Sequence, residues 1–201
     1  MKRTMLLAGI AALVFPQTAS AHLVSTRFGE LYSGLLHPLL ALEHVVPWLG
    51  LGLLAALTRN TTSRWALASF PLAVAFGAWL GSVGPVWPVL TTVNIASFVV
   101  VGVLIIANVR LGTATLLMLT IVMGLSHGYA NAAPTLGGYP LVLFVLGVAL
   151  SAYLIITLVT GFGHLLATQQ RWGVIAVRAA GSWIVAIGLV FGGFSILNIA
   201  A

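Results

Sequence analysis

Two histidines and a glutamate lie close together in an otherwise apolar part of the chain. His37, Glu43 and His44 belong to the run HPLLALEH, and Glu43 is one of only two acidic residues among 201. Imidazole and carboxylate groups bind transition-metal ions, and both also carry protons. A charged side chain at membrane depth costs about 3 kcal/mol even on lenient insertion scales, so such groups are usually paired, cavity-facing and functional. The run predicts a metal site, with a proton relay or a structural hydrogen-bonded pair as alternatives.

Helical spacing limits what these residues can bind together. At about 100° per residue, His37, Ala41 and His44 share one stripe, with the two imidazoles roughly 10 Å apart along the axis. We therefore expect successive sites on a path and no joint chelation of one ion. Glu43 points off this stripe. Pro47 lacks the amide hydrogen that would bond the carbonyl of residue 43, which predicts a kink there and a polar pocket beside Glu43.

The composition indicates what must hold these residues in place. The chain is 61% hydrophobic and 5% charged, with a mean hydropathy of +1.16, whereas about 25% of the residues in a soluble domain are charged. We therefore predict an all-α integral membrane protein in contact with the lipid bilayer. Segments long enough to cross a hydrocarbon core of about 30 Å form a bundle of six spans, near 35–57, 65–83, 87–108, 111–131, 140–166 and 174–199.

The first residues are typical of a cleavable signal peptide. A basic start and an apolar run over 5–15 precede a small-residue cleavage site that ends at Ala21. We expect residues 1–21 to be removed and residues 22–201 to form one transmembrane domain. An uncleaved first helix is the alternative.

The arginines predict the orientation of the spans. If the mature amino terminus is outside, alternate connections face the cytoplasm, and these connections carry the arginines while the other two internal loops are uncharged. The arginines concerned are Arg59, Arg64, Arg110 and Arg171. Both mature termini then lie outside a bacterial inner (cytoplasmic) membrane. Arg178, early in the last span, is interpreted as an anchor that reaches the cytoplasmic interface.

This orientation predicts that polar groups from three helices meet in the outer leaflet. Met123, His127 and Asn131 recur every four residues near the outer end of the fourth span and so share a face. Asn94 lies about seven residues into the third span, roughly 10 Å deep, close to the level of His44. His37 and His44, Asn94 and His127 are therefore expected at one depth.

Two further histidines lie apart from this group. His164 falls at the cytoplasmic side of the fifth span, where an interfacial histidine is favoured over an exit ligand. His22 would be the first mature residue after cleavage, and its free amine and imidazole could chelate a metal as a pair. A solvated terminus is the alternative for His22.

The two motifs resemble those of the HupE/UreJ family of membrane proteins, which is associated with nickel or cobalt supply to hydrogenases and ureases. The family pattern HPxxGxDH is similar to HPLLALEH, with Ala41 and Glu43 at the glycine and aspartate positions. A second pattern, roughly HGxAHGxE, is similar to residues 127–134. The resemblance runs through the whole chain and implies a cleaved leader, six spans with both ends outside and a metal-related role.

The chain departs from these patterns at three positions. By the resemblance, Asn131 and Pro134 stand in place of a histidine and a glutamate, and Asn94 stands where the family tends to carry a glutamate. Two carboxylates and one imidazole are thereby lost from the expected site. The lower negative charge should weaken binding of a hard or borderline divalent ion more than that of a softer ion.

These observations predict a secondary permease for a divalent transition-metal cation, nickel or cobalt, with an outer-leaflet His/Glu site. A copper or zinc permease is an alternative, and Met123 would also permit reduced copper. The predicted metal-binding residues are His22, His37, Glu43, His44, Asn94, His127 and Asn131. The ion is the substrate, and no organic cofactor is expected.

Other functional classes make different demands on the sequence. A non-transporting subunit of a larger membrane complex, or a homo-oligomer, would use the exposed apolar surface. A haem protein would need facing axial histidines, with His44 and His127 as the candidate pair. The sequence contains no nucleophile with a base, no ATP-binding P-loop and no cysteine, so an enzyme, an ATP-driven pump and thiolate metal sites are not predicted. The basic residues fit membrane topology better than nucleic-acid binding.

Overall fold

The computed structural model describes the backbone of residues 21–58 and 60–200 and the side chains of residues 29–58 and 61–197. Residues 1–20, which hold most of the predicted signal peptide, lie outside the described residues, as does Arg59. All regular elements within the described ranges are helical. In chain order they are α1 (Ala21–Leu36), a 3₁₀ turn (His37–Leu39), α2 (Leu42–Ala56), α3 (Asn60–Val83), α4 (Val89–Ile106), α5 (Thr113–Ala130), α6 (Gly138–Gln169) and α7 (Gly173–Ala200).

Five of the described helices, α3 to α7, are long and apolar enough to cross a membrane. Two further pieces, Gly29–Leu39 and Leu42–Ala56, meet at an angle of 74°, and they make a sixth span if they are counted as one. Helix α2 alone is about 22 Å long at 1.5 Å per residue, too short for a hydrocarbon core of about 30 Å. The predicted all-α, multi-pass architecture is confirmed, with five to six candidate spans, and the bent pair is called the first span below.

Helix α2 is the centre of the bundle. It contacts each of the helices α3 to α7, and ten of its 15 residues are buried, so it has almost no lipid-facing side. Trp48, Leu51 and Leu54 expose no surface, and the Trp48 ring packs edge-on against Phe70 of α3. Helix α2, which carries Glu43 and His44 in its first turn, is therefore packed against other helices on most of its sides.

The pairing of α3 with α5 shows how the spans alternate. Glycines bring the two backbones together: a Cβ atom at Gly128 would lie 2.9 Å from backbone carbons of Val74. Hydrogen bonds join the helices at positions that advance together along both. These bonds are Thr62 Oγ1 to Thr113 Oγ1 (3.1 Å), Ser69 Oγ to Thr120 Oγ1 (2.8 Å) and Ala133 N to Ser82 Oγ (3.0 Å). The second and fourth spans are therefore parallel, as successive crossings require.

The polar groups divide between two ends of the bundle. The start of α2, the start of α4 and the end of α5 lie together at one end, called the motif end below, where Asn94 donates to the Ser126 carbonyl. The arginines with described side chains lie toward the other end, called the arginine end. They are Arg64, Arg110, Arg171 and Arg178. Arg178 does more than anchor the interface, because its Nε donates to the Ile106 carbonyl (2.7 Å) and so caps α4.

The break in the first span corrects the prediction of one helix over 35–57. Pro38 has no amide hydrogen for the Gly34 carbonyl, and its ring crowds the preceding turn, so α1 ends just before it. Ala41 is extended (φ −119°, ψ 116°), and its carbonyl accepts from the amides of His44 (3.0 Å) and Val45 (3.1 Å) to begin α2.

No kink is found at Pro47, and the bend in the first span lies earlier in the chain. Helix α2 runs through Pro47 without interruption, and the large bend lies between Leu39 and Leu42. Pro47 removes one hydrogen bond close to the start of a helix, where few bonds have yet formed. Pro38 removes one at the end of α1, where the chain must also turn, so the bend is found there.

Candidate functional site

The break brings the two histidines of HPLLALEH close together. The ring centroids of His37 and His44 are 6.1 Å apart and the ring planes are inclined by 29°. Phe144 of α6 packs edge-on against His37, with centroids 5.6 Å apart. The separation of roughly 10 Å expected for a continuous helix is therefore wrong, and distance no longer keeps these two imidazoles from sharing one ion.

Glu43 lies in the first turn of α2, beside His44. Its carboxylate interacts electrostatically with His37 across the break, and its side chain is exposed at the bundle end. A negative side chain is also favourable at the amino terminus of a helix, where unpaired amides give a partial positive charge. Glu43 thus adds a negative charge next to both imidazoles.

A cavity of about 450 Å³ opens at this point, between α2, α4 and α7. One wall is polar and carries Glu43, His44 and Asn94. The apolar part of the lining comes from α4 and α7. Its members are Ile95, Phe98, Phe191 and Phe194, with Ser195 beside them. A cavity thus lies beside Glu43, as expected, although the kink at Pro47 from which it was predicted is not found.

Two unpaired polar atoms mark the polar wall. Asn94 is buried, and its Nδ2 donates to the Ser126 carbonyl of α5 (3.3 Å), which holds the amide in place. Within the described part of the chain, neither Oδ1 of Asn94 nor Nδ1 of His44 has a hydrogen-bond partner. A buried polar atom without a partner costs about 1–3 kcal/mol. Both atoms expose almost no surface, so a ligand in the cavity would reach them only after the side chains turn.

His127 lies behind this wall and does not line the cavity. Its side chain is fully buried, and its Nε2 lies 2.9 Å from Ser97 Oγ, which also bonds the Asn94 carbonyl (2.6 Å). His44 and Asn94 line the same cavity, and Ser97 and Ser126 connect Asn94 with the His127 region of α5, so the structure brings the three residues close together, as expected from their depth. Because His127 does not line the cavity that His44 lines, the two rings do not face a common space for a haem.

Ser97 is the residue that sequence reasoning missed. It follows Asn94 by three residues in α4 and so lies on the same helix face. That spacing is the signal that would have found it.

The other predicted ligands fall elsewhere. Asn131 caps α5 by donating from Nδ2 to the His127 carbonyl (2.8 Å), and Met123 belongs to the hydrophobic core. His164 lines a second cavity of about 250 Å³ at the arginine end, with Asn108 and Arg110. The His22 side chain lies outside the described residues.

The donor set is small. Among the residues that the structure describes, no group of three or more His, Cys, Asp or Glu side chains is placed to hold a metal ion. The cavity offers one imidazole, one carboxylate and one amide, with His37 next to them. Such a site can hold a cation loosely and leaves positions on it for other ligands.

The chain was compared with known proteins. The profile of the family described as HupE / UreJ protein matches residues 10–191. The chain is also similar to "Protein HupE" of Rhizobium leguminosarum bv. viciae, with 27% identity over 165 residues that cover 76% of this chain and 85% of that protein. No solved structure matches the chain.

Proposed function

Because the chain belongs to the HupE/UreJ family, we propose that it is a secondary permease for a divalent transition-metal cation, with nickel or cobalt as the substrate. The family is associated with nickel and cobalt uptake. Imidazole and carboxylate groups suit these ions. In this proposal, His37 and His44 bind the ion at the motif end, and Glu43 compensates its charge from the cavity wall.

The approach of His37 to His44 is the observation that carries the proposal. A conventional helix would hold these rings apart, whereas the break sets them 6.1 Å apart beside an open cavity. The Nδ1 atom of His44 is buried and has no partner among the described residues, so a ring rotation that turns this nitrogen toward the cavity would give up no hydrogen bond.

The orientation follows from the arginines. The described ones lie toward the end opposite the cavity, and cytoplasmic loops are enriched in Lys and Arg. We therefore place the cavity on the outer side of a bacterial inner membrane, where it takes up the ion. Passage would then continue toward the arginine end, with gradients or a partner as the energy source.

Metal analysis of the detergent-purified protein tests the proposal. After incubation with nickel and removal of unbound metal, the wild type should retain about one nickel per chain and His44→Ala almost none. His164→Ala, at the arginine end, is the matched control and should bind like the wild type. Equal nickel content in His44→Ala and the wild type would defeat the assignment of His44.

A second candidate function is a non-transporting subunit of a membrane complex. The absence of a three-residue metal cluster among the described residues favours it. A stable partner that co-purifies with a metal-free protein would support this function over transport.

The amino terminus is proposed to mature by cleavage after Ala21. Amino-terminal sequencing of the mature protein should then find His22 first. Any other first residue would remove His22 as a ligand through its free amine.

A further inference from the structure

We propose that the ion reaches this cavity as a one-to-one chelate with a small monoanionic aminocarboxylate, and that the cavity between α2, α4 and α7 binds the chelate as a whole. This inference rests on the proposed function and narrows its substrate class. It draws on the size of the cavity, its few metal ligands, its charge and its apolar wall.

The cavity is larger than a metal ion needs. Six water molecules at about 30 Å³ each give a hydrated ion of roughly 180 Å³, whereas the cavity measures about 450 Å³. Sites for small organic ligands range from about 300 to 1,000 Å³. The volume therefore fits a cation together with a small organic ligand.

The protein supplies too few ligands to strip an ion of all its other partners. His44 and Glu43 line the cavity, His37 stands next to His44, and no three-residue cluster is placed to hold a metal within the described ranges. Divalent transition metals in proteins generally take at least four ligands. An aminocarboxylate would fill the remaining positions through its amine and carboxylate.

Charge balance favours a monoanionic chelator. Glu43 is the one carboxylate that lines the cavity, so a single negative charge stands there against the two positive charges of a bare divalent ion. A one-to-one chelate of a divalent ion with a monoanion carries a single positive charge, which Glu43 matches. Pairing of this kind reduces the cost of taking charge out of water.

The two walls of the cavity suit the two sides of such a chelate. The Thr91 hydroxyl, which lines the cavity beside Asn94, can accept from a metal-bound amine, and the Ser195 hydroxyl can donate to a carboxylate oxygen. Phe191 and Phe194 also line the cavity, where they would contact the carbon skeleton and side chain of the chelator.

Co-retention of metal and chelator tests this inference. Purified protein is incubated with nickel alone, with nickel and one equivalent of radiolabelled L-histidine, or with the labelled histidine alone, and then passed over a desalting column. We expect about one histidine retained per retained nickel, and no histidine without nickel. Phe194→Ala should lower histidine retention at least fivefold.

Phe162→Ala is the matched control for Phe194→Ala. The two phenylalanines are similarly exposed, 65% and 62% respectively, but Phe162 does not line the cavity, so its variant should retain histidine like the wild type. Retention of nickel while the labelled histidine passes through would overturn the chelate and leave the permease standing. Absence of nickel in every sample would instead overturn the proposed function.

Discussion

The first and fourth spans each carry a histidine to the motif end, but they use it in opposite ways. In the first span the chain breaks before α2, and the side chain of His44 lines an open cavity. In the fourth span α5 is unbroken, and the ring of His127 is fully buried against Ser97. Residue type and depth are the same in both spans. The backbone around each histidine decides whether it is available to a ligand.

The neighbouring residues explain this difference. Pro38 ends a helix and forces the chain to turn beside His37. Gly124 and Gly128 instead keep α5 continuous and closely packed. Because they carry no side chain, the α5 backbone lies directly against α3, and His127 is buried in the bundle. Substitutions that disturb either arrangement test this difference between His44 and His127.

The largest effect is expected from closing the space at Gly128. A Cβ atom there would meet the backbone of Val74, which cannot move aside as a side chain can. Gly128→Val should therefore destabilise the protein by about 3 kcal/mol or more, measured by thermal unfolding in detergent. Gly161→Ala, where a Cβ would meet nothing within 4 Å, should leave the unfolding temperature unchanged or slightly higher. Equal stability of the two variants would show that tight α3–α5 packing does not hold His127.

Restoring the helix in the first span should mainly affect binding. Pro38→Ala removes the ring that ends α1, and alanine is favoured over proline in a helix by about 3 kcal/mol. As the first span straightens, His37 and His44 move apart, and nickel affinity should fall about tenfold, or about 1.4 kcal/mol, in isothermal titration. Pro71→Ala, inside α3, serves as the control. Unchanged nickel affinity in Pro38→Ala would show that the break at Pro38 does not contribute to nickel binding.

Removal of the Ser97 hydroxyl should lower stability and leave nickel affinity nearly unchanged, the opposite of the result expected for Pro38→Ala. Ser97→Ala leaves the Nε2 atom of His127 buried without its partner, which costs about 1–2 kcal/mol of stability. Nickel affinity should stay within about twofold of the wild type, because His127 does not line the cavity. Ser182→Ala, at an exposed serine that bonds only within its own helix, should change neither property. A loss of affinity beyond tenfold in Ser97→Ala would make His127 part of the binding site.

The smallest effect is expected at Glu43. Its side chain is exposed, so water and salt screen its charge, and exposed charge pairs contribute less than about 1 kcal/mol. Glu43→Gln should lower nickel affinity about threefold at low ionic strength, and less in 0.5 M salt. A loss of more than thirtyfold that salt does not reduce would instead identify the carboxylate as a direct metal ligand.

Hydropathy alone predicted the multi-pass helical architecture, because about 20 consecutive apolar residues are a strong signal. The break in the first span was harder to predict. Pro38 and Pro47 both lack an amide hydrogen, and the sequence does not show which of them the bundle will use for its bend. The packing of α2 against all the other long helices decides this, and such packing is a property of the assembled bundle.

The candidate site was predicted in part for a similar reason. Helix depth brought Asn94 and His127 to the level of His44, and the structure places them together. Depth says nothing about which side of a helix faces a cavity. Asn131 therefore caps α5 with its amide group, and the aromatic wall that includes Phe191 was not foreseen, since a phenylalanine in a membrane helix is ordinary by composition.

The hydroxyl groups between α3 and α5 bear on how the protein is assembled in the bilayer. Ser82 donates to the Ala78 carbonyl (2.7 Å) within α3 while it accepts from Ala133, and Ser69 has an acceptor of its own at Trp65 (2.7 Å). Helix α3 can therefore be inserted singly with the hydroxyls of Ser69 and Ser82 already satisfied. The interhelical bonds join residues 51 positions apart, so they form only after α4 and α5 have left the ribosome. Insertion and pairing are thus separate steps. Before α5 is inserted, α3 can lie in the bilayer with the hydroxyls of these serines hydrogen-bonded within its own helix.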